Sequence, residues 1–272
     1  MSAPLLSLAA GTVLDAGPAA TLDAAAAAGY AAAGLRLDAD TCPASAVELR
    51  RRADDHGLTL LDLEVVRLGP DRSIDEALRL LDLAVVLGAR FLLTVSSHPD
   101  PADTRAELAA LVRAAHGGPT RIALEFMRFT RVPTLADAVA VLDDIGADPG
   151  DATVLVDALH LRRSGETPAD VAAVAAAAPG RIGYWQICDG PAAAPADVDG
   201  VDGLVHEARH HRLAPGEGDL PLHDLIAALP AGLPISVEVQ SDRLAASHDP
   251  VARARHLMEA TRAVLPQELG QE

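Results

Sequence analysis

The sequence predicts an α/β chain folded as a (β/α)8 TIM barrel, and three observations predict it. Short apolar runs suited to burial on both faces alternate strictly with longer Ala- and Leu-rich amphipathic segments, eight of each. The strand candidates recur at a spacing of about thirty residues, as βαβ units do. The length of 272 residues is the usual size of such a barrel, which makes residues 1–272 one domain.

The first strand is predicted at Leu5–Val13 and is followed by an Ala-rich helix, Pro18–Gly29, that ends at glycine. The second strand, Ala33–Ala39, precedes a helix at Ala44–Gly57 that carries Arg50, Arg51 and Arg52. After the third strand, Leu58–Leu68, Ser73 and Glu76 form a capping-box pattern for a helix running to Gly88. The fourth strand, Arg90–Ser97, leads to a helix at Asp103–His116 that stops before Gly117-Gly118-Pro119. Strands five to eight are predicted at Arg121–Met127, Ala152–His160, Arg181–Asp189 and Leu233–Gln240. Their helices are Thr134–Gly146, Thr167–Ala178, Leu222–Leu229 and Asp249–Leu265, with Thr134 and Thr167 as N-caps and Pro168 in a first turn. A long irregular connection is expected between the seventh strand and helix, at about 190–219, where a barrel would carry a lid or substrate clamp. An open doubly wound sheet fits less well, because Ala9-Ala10-Gly11-Thr12 after the first strand is not a dinucleotide-binding glycine loop.

Composition excludes several function classes. The formal charge of −17 repels phosphate backbones, so no nucleic-acid partner is expected. No apolar run approaches the roughly 20 residues of a membrane span, and the first residues lack the basic start of a signal peptide. The expectation is a soluble, cytoplasmic protein with no membrane partner, and self-association into a homo-oligomer stays open. All 22 basic residues are arginine. Without lysine there is no Schiff-base chemistry and no P-loop. Cys42 and Cys188 stand alone and read as two buried or half-buried thiols rather than a disulfide or a zinc site.

A barrel of this kind works at the C-terminal ends of its strands. There the sequence places Glu64, Glu125, Asp157, His160, Gln186, Asp189 and Glu238. Glu125, Asp157 and Glu238 each follow mainly apolar strand residues, and a buried acid costs several kcal/mol unless it is paired or binds a metal. Converging acids repel, and a divalent cation relieves the repulsion. With the Gln186 amide they form an all-oxygen set that suits Mg2+, Mn2+ or Co2+ better than zinc. The competing expectation is that Arg36 and Arg67 neutralise the acids. His206-Glu207-Ala208-Arg209-His210 matches the zinc-protease pattern but falls in the predicted irregular connection, so it is taken as chance. His210, His211 and Arg212 form a cationic cluster suited to an anionic substrate group. His98 is expected in a loop after strand four, and Trp185 on the helix-facing side of strand seven.

The ordered series Leu-Glu125-Phe, Val-Asp157-Ala-Leu-His160, Trp-Gln186-Ile-Cys-Asp189, Pro215-Gly-Glu-Gly218-Asp and Val-Glu238-Val resembles the sugar phosphate isomerase/epimerase family of xylose isomerase-like barrels. The resemblance covers nearly the whole chain. It implies that Glu125, Asp157, Gln186 and Glu238 bind a divalent metal, that His160 contacts substrate, and that the two glutamates are the acid/base pair. Most isomerases and epimerases of the family carry His where Gln186 stands. Gln there, and Arg209-His210-His211-Arg212 ahead of the Pro-Gly turn, resemble the 3-dehydroshikimate dehydratases, although their usual serine is Ala208 here.

The expected function is therefore a divalent-metal-dependent isomerase or epimerase of a small polyol, ketose or hydroxy-ketone. Glu125 and Glu238 would move the proton next to the carbonyl through a metal-stabilised enediolate, with His160 holding or protonating the substrate. Glu64, Asp189, His210 and Arg212 are the substrate-binding candidates. A dehydratase and a non-catalytic binding barrel are the alternatives.

Overall fold

A computed structural model of the chain describes residues 4–194 and 200–266. Eight parallel strands close into a barrel in sequence order. They are β1 (Leu6–Leu8), β2 (Ala32–Arg36), β3 (Thr59–Leu68), β4 (Phe91–Ser96), β5 (Arg121–Glu125), β6 (Ala152–Asp157), β7 (Ile182–Ile187) and β8 (Ile235–Val237). The helices in chain order are α1 (Gly17–Ala28), α2 (Pro43–Asp55), α3 (Ile74–Leu87), α4 (Pro101–Ala115), α5 (Leu135–Asp144), α6 (Ala158–Ser164), α7 (Pro168–Ala177), α8 (Gly200–His210), α9 (Leu222–Ala228), α10 (Asp242–Ser247) and α11 (Pro250–Val264).

Two apolar layers hold the barrel. Inside it, Ala32, Leu61, Phe91, Leu93, Ala123, Leu155 and Tyr184 pack together. The larger layer lies between strands and helices and includes Leu124, Val156, Trp185 and Val237, so Trp185 faces the helices as expected. This alternation sets the site. Ala123 points inward and Leu124 outward, so Glu125 points inward again, and the same parity turns Asp157 and Gln186 toward the axis. Register pairs Asp157 with Gln186 and Gln186 with Ser236 on neighbouring strands.

The N-cap positions follow the sequence. Thr134 accepts from the Asp137 N–H, and Thr167 and Asp170 form a capping box. Ser73 caps α3 by accepting from the Asp75 N–H, and among the described residues Glu76 makes no return bond, so the expected capping box is not formed there.

Four expectations change. The first strand ends at Leu8, and a 3-10 segment, Ala10–Ala16, takes the rest of the predicted run. Strand six ends at Asp157, because Asp157 caps α6 by accepting the His160 N–H at 2.8 Å. Within the predicted irregular connection, α8 spans Gly200–His210; part of that segment, 195–199, lies outside the described residues. Cys42 is exposed just before α2, while Cys188 is buried. Among the described residues no helix is long and apolar enough to cross a membrane.

Candidate metal centre

At the C-terminal mouth of the barrel, Glu125, Asp157 and Glu238 bring carboxylate oxygens within 4.8 Å of one another, and all three residues are buried. Glu125 closes β5, Asp157 closes β6, and Glu238 follows β8 directly. Gly11 makes room for Glu238. A Cβ at that position would collide with Glu238 Oε1 and lie 3.0 Å from Gln240 Nε2.

One guanidinium is inserted among the three acids. Arg212 Nη1 donates to Asp157 Oδ2 at 2.5 Å, Nη2 stands 3.4 Å from Glu238 Oε2, and Nε donates to the Ala208 carbonyl at 2.8 Å. The neutralising residue is thus Arg212 rather than Arg36 or Arg67. Arg36 pairs instead with Glu64, at 2.5 Å. One positive charge against three carboxylates leaves an excess of two negative charges when all are ionised. Among the described residues the ion-pair contact of Glu125 is with His160, whose Nε2 lies 3.8 Å from Oε1.

The electrostatics reflect that excess. Burial, then Glu238 and Asp157, push the Glu125 pKa well above the usual carboxylate value. Burial raises Glu238 to about 7, with Arg212 opposing and Glu64 adding to the rise. Burial would also raise Asp157, but Arg212 and His160 overcome it and hold that carboxyl below its ordinary value. Burial lowers His160 to about 4, so its ring is neutral at physiological pH despite Asp157.

The residues fit a divalent cation. Gln186 is fully buried, and among the described residues neither its amide oxygen nor its nitrogen has a hydrogen-bond partner. Such a group costs about 1–3 kcal/mol unless something else satisfies it. Asp157 already accepts from His160 and Arg212, yet each carboxylate oxygen keeps a further lone pair for a metal.

The substrate-binding candidates divide. Glu64, His160 and Arg212 line the half-open cleft above the acids. His210 lines a wider neighbouring space and pairs with Asp242 at 3.1 Å. Asp189 is a correction. Its carboxylate is buried and accepts from the backbone N–H groups of Gly190, Gly216 and Leu220, so it fixes the Pro215–Asp219 turn instead of facing substrate. His98 is buried and pairs with Glu107 of α4 at 2.7 Å. The protease-like pattern does lie on a helix, α8, contrary to the expectation. Glu207 is nevertheless held by Arg163 at 2.6 and 2.7 Å and is buried. Sequence reasoning missed the position of Gly11 and the reach of Gln240 to Glu238 at 3.2 Å. Neither carries a sequence signal, since both contacts arise only when the barrel closes.

No curated protein matches this sequence. Solved structures resemble the fold. A xylose isomerase-like TIM barrel/4-hydroxyphenylpyruvate dioxygenase fusion protein superposes with a TM-score of 0.78 at 20% identity, over 97% of this chain and 43% of that one. This chain therefore spans less than half of the fusion protein. An IolI protein with a zinc atom matches with a TM-score of 0.78 at 18% identity, over 95% of this chain and 97% of that one. D-allulose 3-epimerase from Methylomonas sp., in complex with D-allulose, matches with a TM-score of 0.69 at 17% identity, over 97% and 98%. At these identities the likeness is one of fold. The family model described as a xylose isomerase-like TIM barrel matches residues 22–264, and the chain belongs to that family.

Proposed function

We infer that the chain is a divalent-metal-dependent enzyme that moves a proton next to a carbonyl of a small polyhydroxylated substrate, as isomerases and epimerases do. The observation that carries this reading is the convergence of Glu125, Asp157 and Glu238 beside an unpartnered Gln186 amide at the barrel mouth. These four residues would hold the cation. When bound, it supplies Lewis-acid polarisation of the substrate carbonyl. The all-oxygen donor set suits Mg2+, Mn2+ or Co2+. The zinc in the IolI relative adds Zn2+ to the metals to be compared.

The chain's own groups supply the proton chemistry. Glu125 closes β5 and Glu238 follows β8, and burial raises both carboxyls above their ordinary value, Glu238 to about 7, as a proton-transfer pair requires. One takes the proton from the carbon next to the carbonyl and the other returns it. His160, kept neutral by burial, faces Arg212 with Nε2 at 3.4 Å and so presents that nitrogen as an acceptor for a substrate hydroxyl. The Arg212 guanidinium lies beside both and orients oxygens that carry developing charge. Return of the proton to the opposite face gives an epimer; return to the neighbouring carbon gives an isomer.

Gln186 favours a second reading, a dehydratase of the 3-dehydroshikimate type, in which the same groups expel a β-hydroxyl. One experiment separates the readings. The protein is loaded in turn with each metal, incubated in D2O with 3-dehydroshikimate and a panel of ketoses, and followed by NMR. Deuterium at an unchanged skeleton supports the first reading, and a new alkene or aromatic product supports the second. A protein that binds no divalent cation and exchanges no deuterium would end both.

A further inference from the structure

Three histidines gather where α8 ends: His206 and His210 on the helix, and His211 just past it. His206 and His210 stand four residues apart, so their side chains share one face of α8. Their ring centroids are 4.7 Å apart. In a helix that ran on, His211 would point about 140° round the axis from His206. Instead α8 stops at His210, and His211 forms an antiparallel bridge with Ser241 in the segment after β8. That turn of the chain brings the His211 ring back to His206, with centroids 4.7 Å apart and Nε2 3.0 Å from Nε2.

The spacing matches a shared cation. Two nitrogens bound to one Zn2+ at about 2.0–2.1 Å stand about 2.9–3.4 Å apart, from right-angled to tetrahedral geometry. His206 and His211 already meet that distance. With no cation between them, one ring must donate a proton and the other accept it. His210 is prepared differently. Its Nδ1 lies 3.1 and 3.2 Å from the two carboxylate oxygens of Asp242, which opens α10. A carboxylate there holds the proton on Nδ1 and leaves the Nε2 lone pair for a metal, as it does behind many metal-bound imidazoles. His206 and His211 are exposed and His210 is half-buried, so an ion reaches them from solvent. The formal charge of −17 draws cations to the chain.

We propose that His206, His210 and His211 form a second metal site, built of nitrogen donors, for a transition cation such as Zn2+, Ni2+ or Cu2+. His206 and His211 seat the ion. His210 turns its ring to supply the third nitrogen, the exposed Asp242 follows it, and water completes the coordination. Imidazole suits these ions, whereas Mg2+ and Mn2+ prefer oxygen, so the site differs in kind from the acids at the barrel mouth. It binds without hydrolysing. Glu207, which stands where a metalloprotease has its general base, is buried and held by Arg163. A bound cation pins the end of α8 to the segment after β8, on which His211 and Asp242 already lean. The site is independent of the proton-transfer reaction inferred for Glu125 and Glu238.

The test uses the full chain. One equivalent of Cu2+ is added and the electron paramagnetic resonance spectrum recorded; Zn2+ affinity is then measured by calorimetry in excess Mg2+, which favours the oxygen set. Both measurements are repeated on His206→Ala, His210→Ala, His211→Ala and, as a control, His116→Ala, an exposed histidine after α4. The unmodified chain should show nitrogen couplings from imidazole. Each of the first three substitutions should remove a coupling and weaken Zn2+ binding about tenfold or more, since loss of even an outer-shell partner costs about 10- to 100-fold. His116→Ala should change nothing. None of the four side chains is buried, so their loss leaves the barrel intact. A Cu2+ spectrum without nitrogen coupling, or couplings and affinity equal in all four variants, overturns the site.

Discussion

Arg212 and Asp157 are separated by 55 residues of chain, and they meet as a buried ion pair at 2.5 Å with side chains 2% and 0% exposed. That pair makes Asp157 the acidic member of an otherwise proton-loving cluster. It also ties the segment after α8 to the end of β6, so the mouth and the turn beyond it are one electrostatic unit.

Replacing Arg212 by Met should lower stability by about 3–5 kcal/mol in the presence of a chelator, because the remaining carboxylates lose their one buried cation. Mn2+ should then restore more stability to the variant than it adds to the unmodified chain, since a second positive charge now has no competitor. Urea unfolding with chelator and with Mn2+ measures both increments. Equal increments in the two proteins would show that Arg212 and the cation do not share the acids.

Cation affinity should rise with pH through neutrality. Burial holds Glu238 at about 7 and Glu125 well above the ordinary value, so both retain protons that a metal must displace. The sign is fixed: proton competition at Glu238 fades above about pH 7, and the raised Glu125 acts in the same direction. The slope should approach about one tenfold step per pH unit for each proton released. Calorimetry in two buffers of different ionisation enthalpy counts those protons. A flat affinity from pH 6 to 8 would contradict the raised carboxylates.

Deeper in the barrel, Asp62 receives the Tyr184 hydroxyl at 2.7 Å, while its other oxygen has no partner. Burial, then Glu64, raises Asp62 from the ordinary carboxylate value to about 8. The folded chain thus keeps a proton that the unfolded chain gives up. Stability falls as pH rises from about 4 to about 8, by up to about 1.4 kcal/mol per unit for this one group. Asp62→Asn should flatten that decline while leaving stability at pH 4 nearly unchanged. Denaturant midpoints for both proteins from pH 4 to 8 test it, and parallel curves would refute it.

Much of this was legible in the sequence because buried charge is conspicuous against an apolar run. Glu125, Asp157, Gln186 and Glu238 each interrupt such a run at an inward position, and the structure brings the three acids together. The misread elements fail for physical reasons. Ala158-Leu159-His160 is apolar enough to extend a strand, yet the Asp157 side chain caps a helix there, and period alone cannot separate the two over so few residues. The helix α8 was hidden by the Pro-, Gly- and Asp-rich stretch that leads into it, and by an apolar face too short to stand out. Asp189 looked like a site residue by strand parity, but three backbone N–H groups claim its carboxylate. The pairing of Arg212 with Asp157 had no local signal at all, because closure of the barrel creates it.

Gln186 offers the sharpest separation of stability from function. Among the described residues its buried amide has no partner for oxygen or nitrogen, so in the cation-free protein it is a liability of about 1–3 kcal/mol. Gln186→Met keeps the length and shape of the side chain and removes both polar atoms. The variant should therefore be more stable than the unmodified chain in chelator. If Gln186 is a ligand, the same change should weaken Mn2+ binding by about 10- to 100-fold, and the stability order should reverse once Mn2+ is added. Thermal unfolding with and without Mn2+ reads both signs. A variant destabilised under both conditions would mean that the amide serves the barrel core, and it would remove Gln186 from the metal centre.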